Sequence, residues 1–321
     1  MPDVRLSAGT IEYEDTGGSG PVVVFLHGLA MNGSLWRHIV ADLRADYRCV
    51  VPALPLGGHR QPMRPEADLS LLGQVRLVAE FLQCLDLRDV TLVGNDWGGA
   101  QLLVSEGRDE RLGRLVLVAC EAFDNYPPGL PGRAVTLAAR VPGGINAAFQ
   151  PLRIRALRRL PFTWGWMSKR PVPDEVMDEW LRPVLTRREI RRDLRKYAGS
   201  APPKGVLLEW TGRLRAFEGE VLVVWAPEDR ASTAEGWPGC SRMGGWSRSP
   251  TPTPSSPRTS PRCSQRTSAS SSPTATGGDP LPRRQTRRPG ERSRHGERAR
   301  RRVWTNDGTT SSSPWRTLPA G

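Results

Sequence analysis

The segment Val93-Gly94-Asn95-Asp96-Trp97-Gly98-Gly99 follows an apolar run and opens a stretch of helical character. Gly94 and Gly98 lack bulk on either side of Asp96, as a tight strand-to-helix turn requires. Such a turn lifts one side chain to the C-terminal edge of a sheet. Free backbone N–H groups and the helix dipole favour negative charge there. A serine in this place needs a base to become nucleophilic, whereas an ordinary aspartate is already ionised at pH 7. A carboxylate can displace a leaving group at saturated carbon and become an alkyl-enzyme ester. Hydrolysis of that ester needs water and a positioned general base to activate it. The competing reading of the segment is an ordinary βα turn capped by Asp96.

A second motif, His27-Gly28, ends the continuous β-branched run "PVVVFLHG". Such a run fits a parallel strand buried on both faces. The runs "YRCVVPAL", "DVTLVGND" and "RLGRLVLVACEA" are of the same type. Between them lie helical stretches, "SLWRHIVADLRAD" and "LSLLGQVRLVAEFLQCLDL". In the second, Leu71, Val75, Val78, Phe81 and Leu82 recur at helical spacing. Alternating strands and helices predict an α/β fold with a doubly wound, mostly parallel sheet. Residues 1–121 form the first part of that core, and 122–215 read as a helical cap without strands. Residues 216–230 restore a strand, "EVLVVWAPEDR", which ends at the acid Asp229. The competing reading of Asp229 is a loop-capping residue.

Together the two motifs, the cap and "VVWAPEDR" resemble the α/β-hydrolase fold over about residues 4–230. The resemblance is to its Asp-nucleophile branch, the haloalkane dehalogenases and epoxide hydrolases. It implies Asp96 as nucleophile and Asp229 as the orienting acid, with Glu121 or Asp124 as alternatives. It implies oxyanion donors at the backbone N–H groups of Trp97 and Leu29, and gives His27 a structural place in its motif. Dehalogenases hold halide between an indole N–H and an Asn amide; Trp97 is present, but position 29 is Leu. A cap tryptophan (Trp164, Trp166 or Trp180) is the alternative second donor. Epoxide hydrolases use two cap tyrosines, for which Tyr126 and Tyr197 are the candidates. Halide, epoxide and small ester or lactone remain open as substrates. The implied partners are a small molecule and water, with no cofactor and no metal; nothing in the sequence sets the oligomeric state.

Residues 231–321 are of another kind. Ser, Pro, Thr, Arg and Gly supply 66 of these 91 residues, and Ile, Phe, Tyr and Lys are absent. That composition cannot bury a core and reads as disordered. It holds 16 Arg and 5 acids, so the remaining 30 basic and 28 acidic residues nearly balance. The formal +13 charge therefore belongs to the tail and not to a basic face of the body. A genuine basic tail would bind nucleic acid or acidic lipid by counterion release, a function class set below the hydrolase. The family's histidine should follow Asp229, yet 231–294 hold none, and His295 sits in an Arg-rich run. The last strand and helix of the fold are missing as well. The chain thus also reads as a hydrolase relic deficient in turnover.

A frame offset accounts for these features. Arg supplies 43 of the 46 basic residues, which points to GC-rich codons. Let each codon be the last base of one triplet plus the first two of the next. Arg242–Pro250 then permits Asp-Gly-Arg-Leu-Val-Glu-Val-Ala, Pro257–Pro261 permits Glu-Asp-Gln-Pro, and 262–271 permits Val-Leu-Ala-x-x-Ile-x-x-Phe. The position four before that Glu cannot be His in this frame, although its predecessor can.

The five cysteines form no CxxC pair, so neither a zinc site nor a disulfide framework is expected. No basic, apolar leader and no run of about 20 apolar residues appears, which leads to the expectation of a cytoplasmic protein without a membrane span.

Overall fold

The computed structural model describes residues 1–96, 102–120, 127, 129–161, 163–165, 170–202, 204–224 and 265–266. All of them fall within the compact unit Met1–Ser268. The strands are β1 (Asp3–Leu6), β2 (Gly9–Asp15), β3 (Val22–Leu26), β4 (Arg48–Pro52), β5 (Val90–Asn95), β6 (Leu112–Val118), β7 (Glu220–Val224) and the short β8 (Gln265–Arg266). Their order in the sheet is β7-β6-β5-β3-β4-β2-β1-β8. The five strands from β4 to β7 run parallel, while β2 and β1 add antiparallel to one side. The expected doubly wound, mostly parallel sheet is therefore present.

The continuous apolar runs follow from cover on both faces. Along β3, Val24 and Leu26 enter one apolar cluster while Val23 and Phe25 enter the other. The second face is closed by α1 (Arg37–Leu43), whose Val40 packs beside Trp36 on Phe25. Phe25 and Trp36 meet at a ring-centroid distance of 5.2 Å. The first face is closed by α2 (Leu71–Cys84), and Leu71, Val75, Val78, Phe81 and Leu82 are all buried, as their spacing predicts. Ser70 starts this helix by accepting the Gly73 N–H.

After β5 and the short α3 (Leu102–Ser105), the chain returns through β6 and enters the cap. The cap comprises α4 (Gly129–Arg140), α5 (Gly144–Phe149), α6 (Asp174–Thr186) and α7 (Arg188–Ala198). Helix α8 (Lys204–Arg213) then leads to β7. The run from Asp174 to Ala198 is two helices, because Arg187 is extended, with φ −113° and ψ 123°.

Polar contacts seam the cap to the core. Trp180 Nε1 donates to Ser34 Oγ at 2.8 Å, and Asn32 Nδ2 donates to Glu179 Oε1 at 3.0 Å. Lys196 Nζ donates to the Ala67 carbonyl at 2.7 Å, and the Leu71 N–H donates to Ser200 Oγ at 3.1 Å.

Two expectations need adjustment. The tail from 231 lies outside the described residues except Gln265–Arg266, which pair with β1 rather than stay unstructured. Cys49 and Cys120 are buried and outside any disulfide, whereas Cys84 is disulfide-bonded, which the lack of a CxxC pair did not lead one to expect. Among the described residues no helix is long and apolar enough to cross a membrane.

Trp180→Phe keeps the bulk of the fully buried ring but loses the bond to Ser34. It should cost about 1 kcal/mol, against roughly 3–5 kcal/mol for Trp180→Ala. Urea denaturation of the two variants checks the difference.

Candidate active site

The order of strands reverses around β3: β4 lies on one side and β5 on the other. Ligands of open α/β sheets bind outside the strand ends at such a reversal. Asp96 follows β5 and His27-Gly28-Leu29 follows β3, so both motifs arrive at this point.

Asp96 has φ +50°, a left-handed conformation that a non-glycine residue adopts only when its surroundings hold it there. Gly94, in register with Leu26 of β3 and Leu117 of β6, brings β5 to the turn between two neighbours. Asn95 adds a side-chain tie, its Nδ2 donating to the Val118 carbonyl at 3.2 Å. The turned side chain is directed at the β3 loop. The Leu29 N–H donates to Asp96 Oδ2 at 3.1 Å. Gly28 makes that approach possible: a Cβ there would lie 2.5 Å from Asp96 Oδ2 and 2.7 Å from its Cβ. Hence the motif requires glycine for space, at a position where the backbone itself makes no special demand.

The β3 loop is held from behind. The Leu54 N–H donates to His27 Nε2 at 2.9 Å, so His27 Nδ1 carries the proton and donates to the Gly28 carbonyl at 2.9 Å. Both ring nitrogens are thus occupied in pinning the loops after β3 and β4 together. Burial pushes the His27 pKa down to about 4, from an ordinary value near 6.5, and the Gly28 carbonyl offsets only part of this. Ala30, at φ +53°, donates its N–H to the Leu56 carbonyl at 2.7 Å.

His59 extends this support to the cap. The Gly57 N–H donates to His59 Nδ1 at 3.3 Å, and His59 Nε2 donates to Asp193 Oδ2 on α7 at 3.3 Å. Asp193 also accepts the Met63 N–H at 2.8 Å and is paired with Arg192 at 2.7 Å. Burial opposes charge on Asp193, but these partners outweigh it and hold the carboxyl below its usual range. Burial likewise drives the His59 pKa down, with Asp193 pulling in the opposite direction.

Among the sequence-derived site residues, Asp96, Leu29, Gly28, His27 and Gly94 are brought together. Tyr197 is on α7 and fully buried in the larger apolar cluster. Trp97, Gly98, Glu121, Asp124, Tyr126 and Asp229 lie outside the described residues. His38 is exposed on α1. Of the cap tryptophans, Trp180 spends its N–H on Ser34, Trp166 lies outside the described residues, and Trp164 Nε1 is buried without a hydrogen-bond partner. No group of three or more metal-ligating side chains occurs among the described residues. Sequence reasoning missed Asn95 and the His59–Asp193 pair. Asp193 carried a signal, since it shares the i, i+3, i+4, i+7 face of α7 with Ile190, Leu194 and Tyr197. A carboxylate on an apolar helix face implies a buried partner.

Two outcomes follow. Gly28→Ala should lower the reactivity of Asp96 by about 100-fold or more while leaving the fold intact, because misplacing a reacting group by about 1 Å costs that much; labelling rate and circular dichroism separate the effects. The second outcome concerns acid. His27 stays neutral in the fold to about pH 4 but gains a proton in the unfolded chain below 6.5. Its contribution is therefore complete above pH 6.5 and lost as pH falls toward 4, at about 1.4 kcal/mol per pH unit. His59 acts in the same direction. Denaturation midpoints measured across this window should fall steadily, with a shallower slope in His27→Gln.

Among curated proteins, a haloalkane dehalogenase of Mesorhizobium japonicum is 33% identical over 139 residues, 42% of this chain and 44% of that protein. A cis-3-alkyl-4-alkyloxetan-2-one decarboxylase of Xanthomonas campestris pv. campestris is 35% identical over 133 residues, 38% of this chain and 43% of that protein. The chain spans less than half the length of these two relatives. A solved loop variant of a haloalkane dehalogenase from Bradyrhizobium elkanii superposes with a TM-score of 0.57 over 73% of this chain and 82% of that one. Its 20% identity supports likeness of fold alone. The profile of the alpha/beta hydrolase family matches residues 23–256, which include both motifs and the strands that carry them, and the chain belongs to that family.

Proposed function

We propose that Asp96 is a carboxylate nucleophile that opens a small haloalkane or epoxide and forms an alkyl-enzyme ester. The observation that carries this is the Leu29 N–H on Asp96 Oδ2 at 3.1 Å, with the carboxylate on a turn of φ +50° at the sheet's switch point. The bond engages Oδ2, and we assign the attack to Oδ1. Oδ1 forms a bond to the substrate carbon, and the electron pair of the breaking bond departs with the halide or the epoxide oxygen. In the ester, Oδ2 is the carbonyl oxygen. When water adds to that carbonyl, the Leu29 N–H already faces the developing oxyanion. Trp97 would supply the second donor, and Asp229 would orient a base.

Ester hydrolysis needs a base, and none is evident. His27 and His59 have both ring nitrogens engaged, and residues 231–294 contain no histidine. The proposed outcome is alkylation without release, as in a turnover-deficient relic. Trp164, whose buried N–H has no partner among the described residues, is the candidate second halide donor. Tyr197, fully buried, lends no comparable support to epoxide protonation.

The test is intact-mass and tandem mass spectrometry after incubation with 1-bromobutane and, separately, with a terminal epoxide. One butyl group should appear on Asp96 and persist, and Asp96→Asn should take up none. Absence of any adduct at Asp96 with either reagent would refute the proposal. A persistent epoxide adduct without a butyl adduct would move the assignment to epoxides.

A further inference from the structure

Strand β7 has the composition of an interior strand and the position of an edge. Its "EVLVV" is a continuous apolar run after one acid, like β3. In β3, Val23 to Leu26 are at most 5% exposed, whereas Leu222 and Val224 of β7 are 50% and 38% exposed. On one side β7 is paired with β6 from Glu220 to Val224. It is the terminal strand of the sheet, and no described residue pairs with its other side. A bare, apolar, parallel edge is a template for association, and parallel strands are normally covered on both faces. The described piece of the tail does not cover it, since β8 pairs with β1 at the opposite end of the sheet.

The tail's coding register indicates what belongs there. With triplets formed from the last base of one codon and the first two of the next, Arg242–Pro250 permits Asp-Gly-Arg-Leu-Val-Glu-Val-Ala. This segment carries apolar residues on both faces, with Val and Val after Arg on one and Leu and Ala flanking Glu on the other. The further segment Val-Leu-Ala-x-x-Ile-x-x-Phe, at 262–271, places Val, Leu, Ile and Phe within an arc of about 140° at 100° per residue. A strand followed by a one-sided apolar helix is the unit needed to extend a parallel sheet and cover its face. In the given register the same stretch supplies Ser, Thr, Pro and Arg, and the break comes directly after β7.

We infer that the free edge of β7 is the docking site for this strand and helix, and that residues from about 231 onward are the out-of-register product of one lost base. The loss of one base before codon 242 generates this offset, and adding one base restores it. The inference does not rest on the nucleophilic role of Asp96, but a restored register would replace the residues after Asp229, where the base is expected.

Sequencing the source DNA across codons 225–275 tests the register directly. The structural part is tested by comparing the full chain as given with the full chain carrying one added base between codons 230 and 242. The extra base is expected in the source DNA. Hydrogen exchange at the β7 amides not bonded to β6 should slow by on the order of 100-fold in the restored chain. Gel filtration should change from concentration-dependent association to monomer. The given register in the source DNA, a restored chain that fails to fold, or unchanged exchange at β7 overturns the inference. Protection of β7 in the given chain through self-association does so as well if the source register is the given one.

Discussion

The contact between Asp96 and the Gly28-Leu29 backbone is the constraint on which the site depends. A carboxylate held at φ +50° is disfavoured by about 1–2 kcal/mol relative to ordinary backbone. The turn persists because β5 enters it clamped between β3 and β6. The opposing loop must come within van der Waals contact of the carboxylate, and only a residue without Cβ allows that. His27 then serves the site through position. Its neutral ring bonds the loops after β3 and β4, and so fixes where the Leu29 N–H points. A charged or rotated His27 would move the donor and leave the Asp96 carboxylate chemically unchanged.

Support continues outward by the same kind of contact. The loop after β4 holds Ala30 through Leu56 and reaches α7 through His59 and Asp193. A cap helix is thereby linked to the loop after β3 by hydrogen bonds between buried groups. A buried carboxylate such as Asp193 is costly to leave without its donors, so cap and core are expected to act as one unit near the site.

Much of this was legible in the sequence because it rests on local rules. The apolar runs of β3, β4 and β5 announced strands covered on both faces, and two apolar clusters confirm why. The spacing of Leu71 to Leu82 marked the buried face of α2. Gly94 and Gly28 marked a tight turn and a close approach. What was not legible depended on distant partners. Nothing in the sequence around His59 points to its partner Asp193, 134 positions away. Nor could the pairing of Gln265–Arg266 with β1 be read from a segment without strand character. The substrate was not legible either, because position 29 offers a backbone donor where a side-chain amide would have distinguished halide.

The central claim is that the Asp96 carboxylate is the nucleophile in a site where the described residues supply no base. Halide released from 1-bromobutane, counted per mole of protein, measures this most directly. The account predicts one equivalent followed by a plateau, and none from Asp96→Asn. No release, or release that Asp96→Asn leaves unchanged, would contradict it.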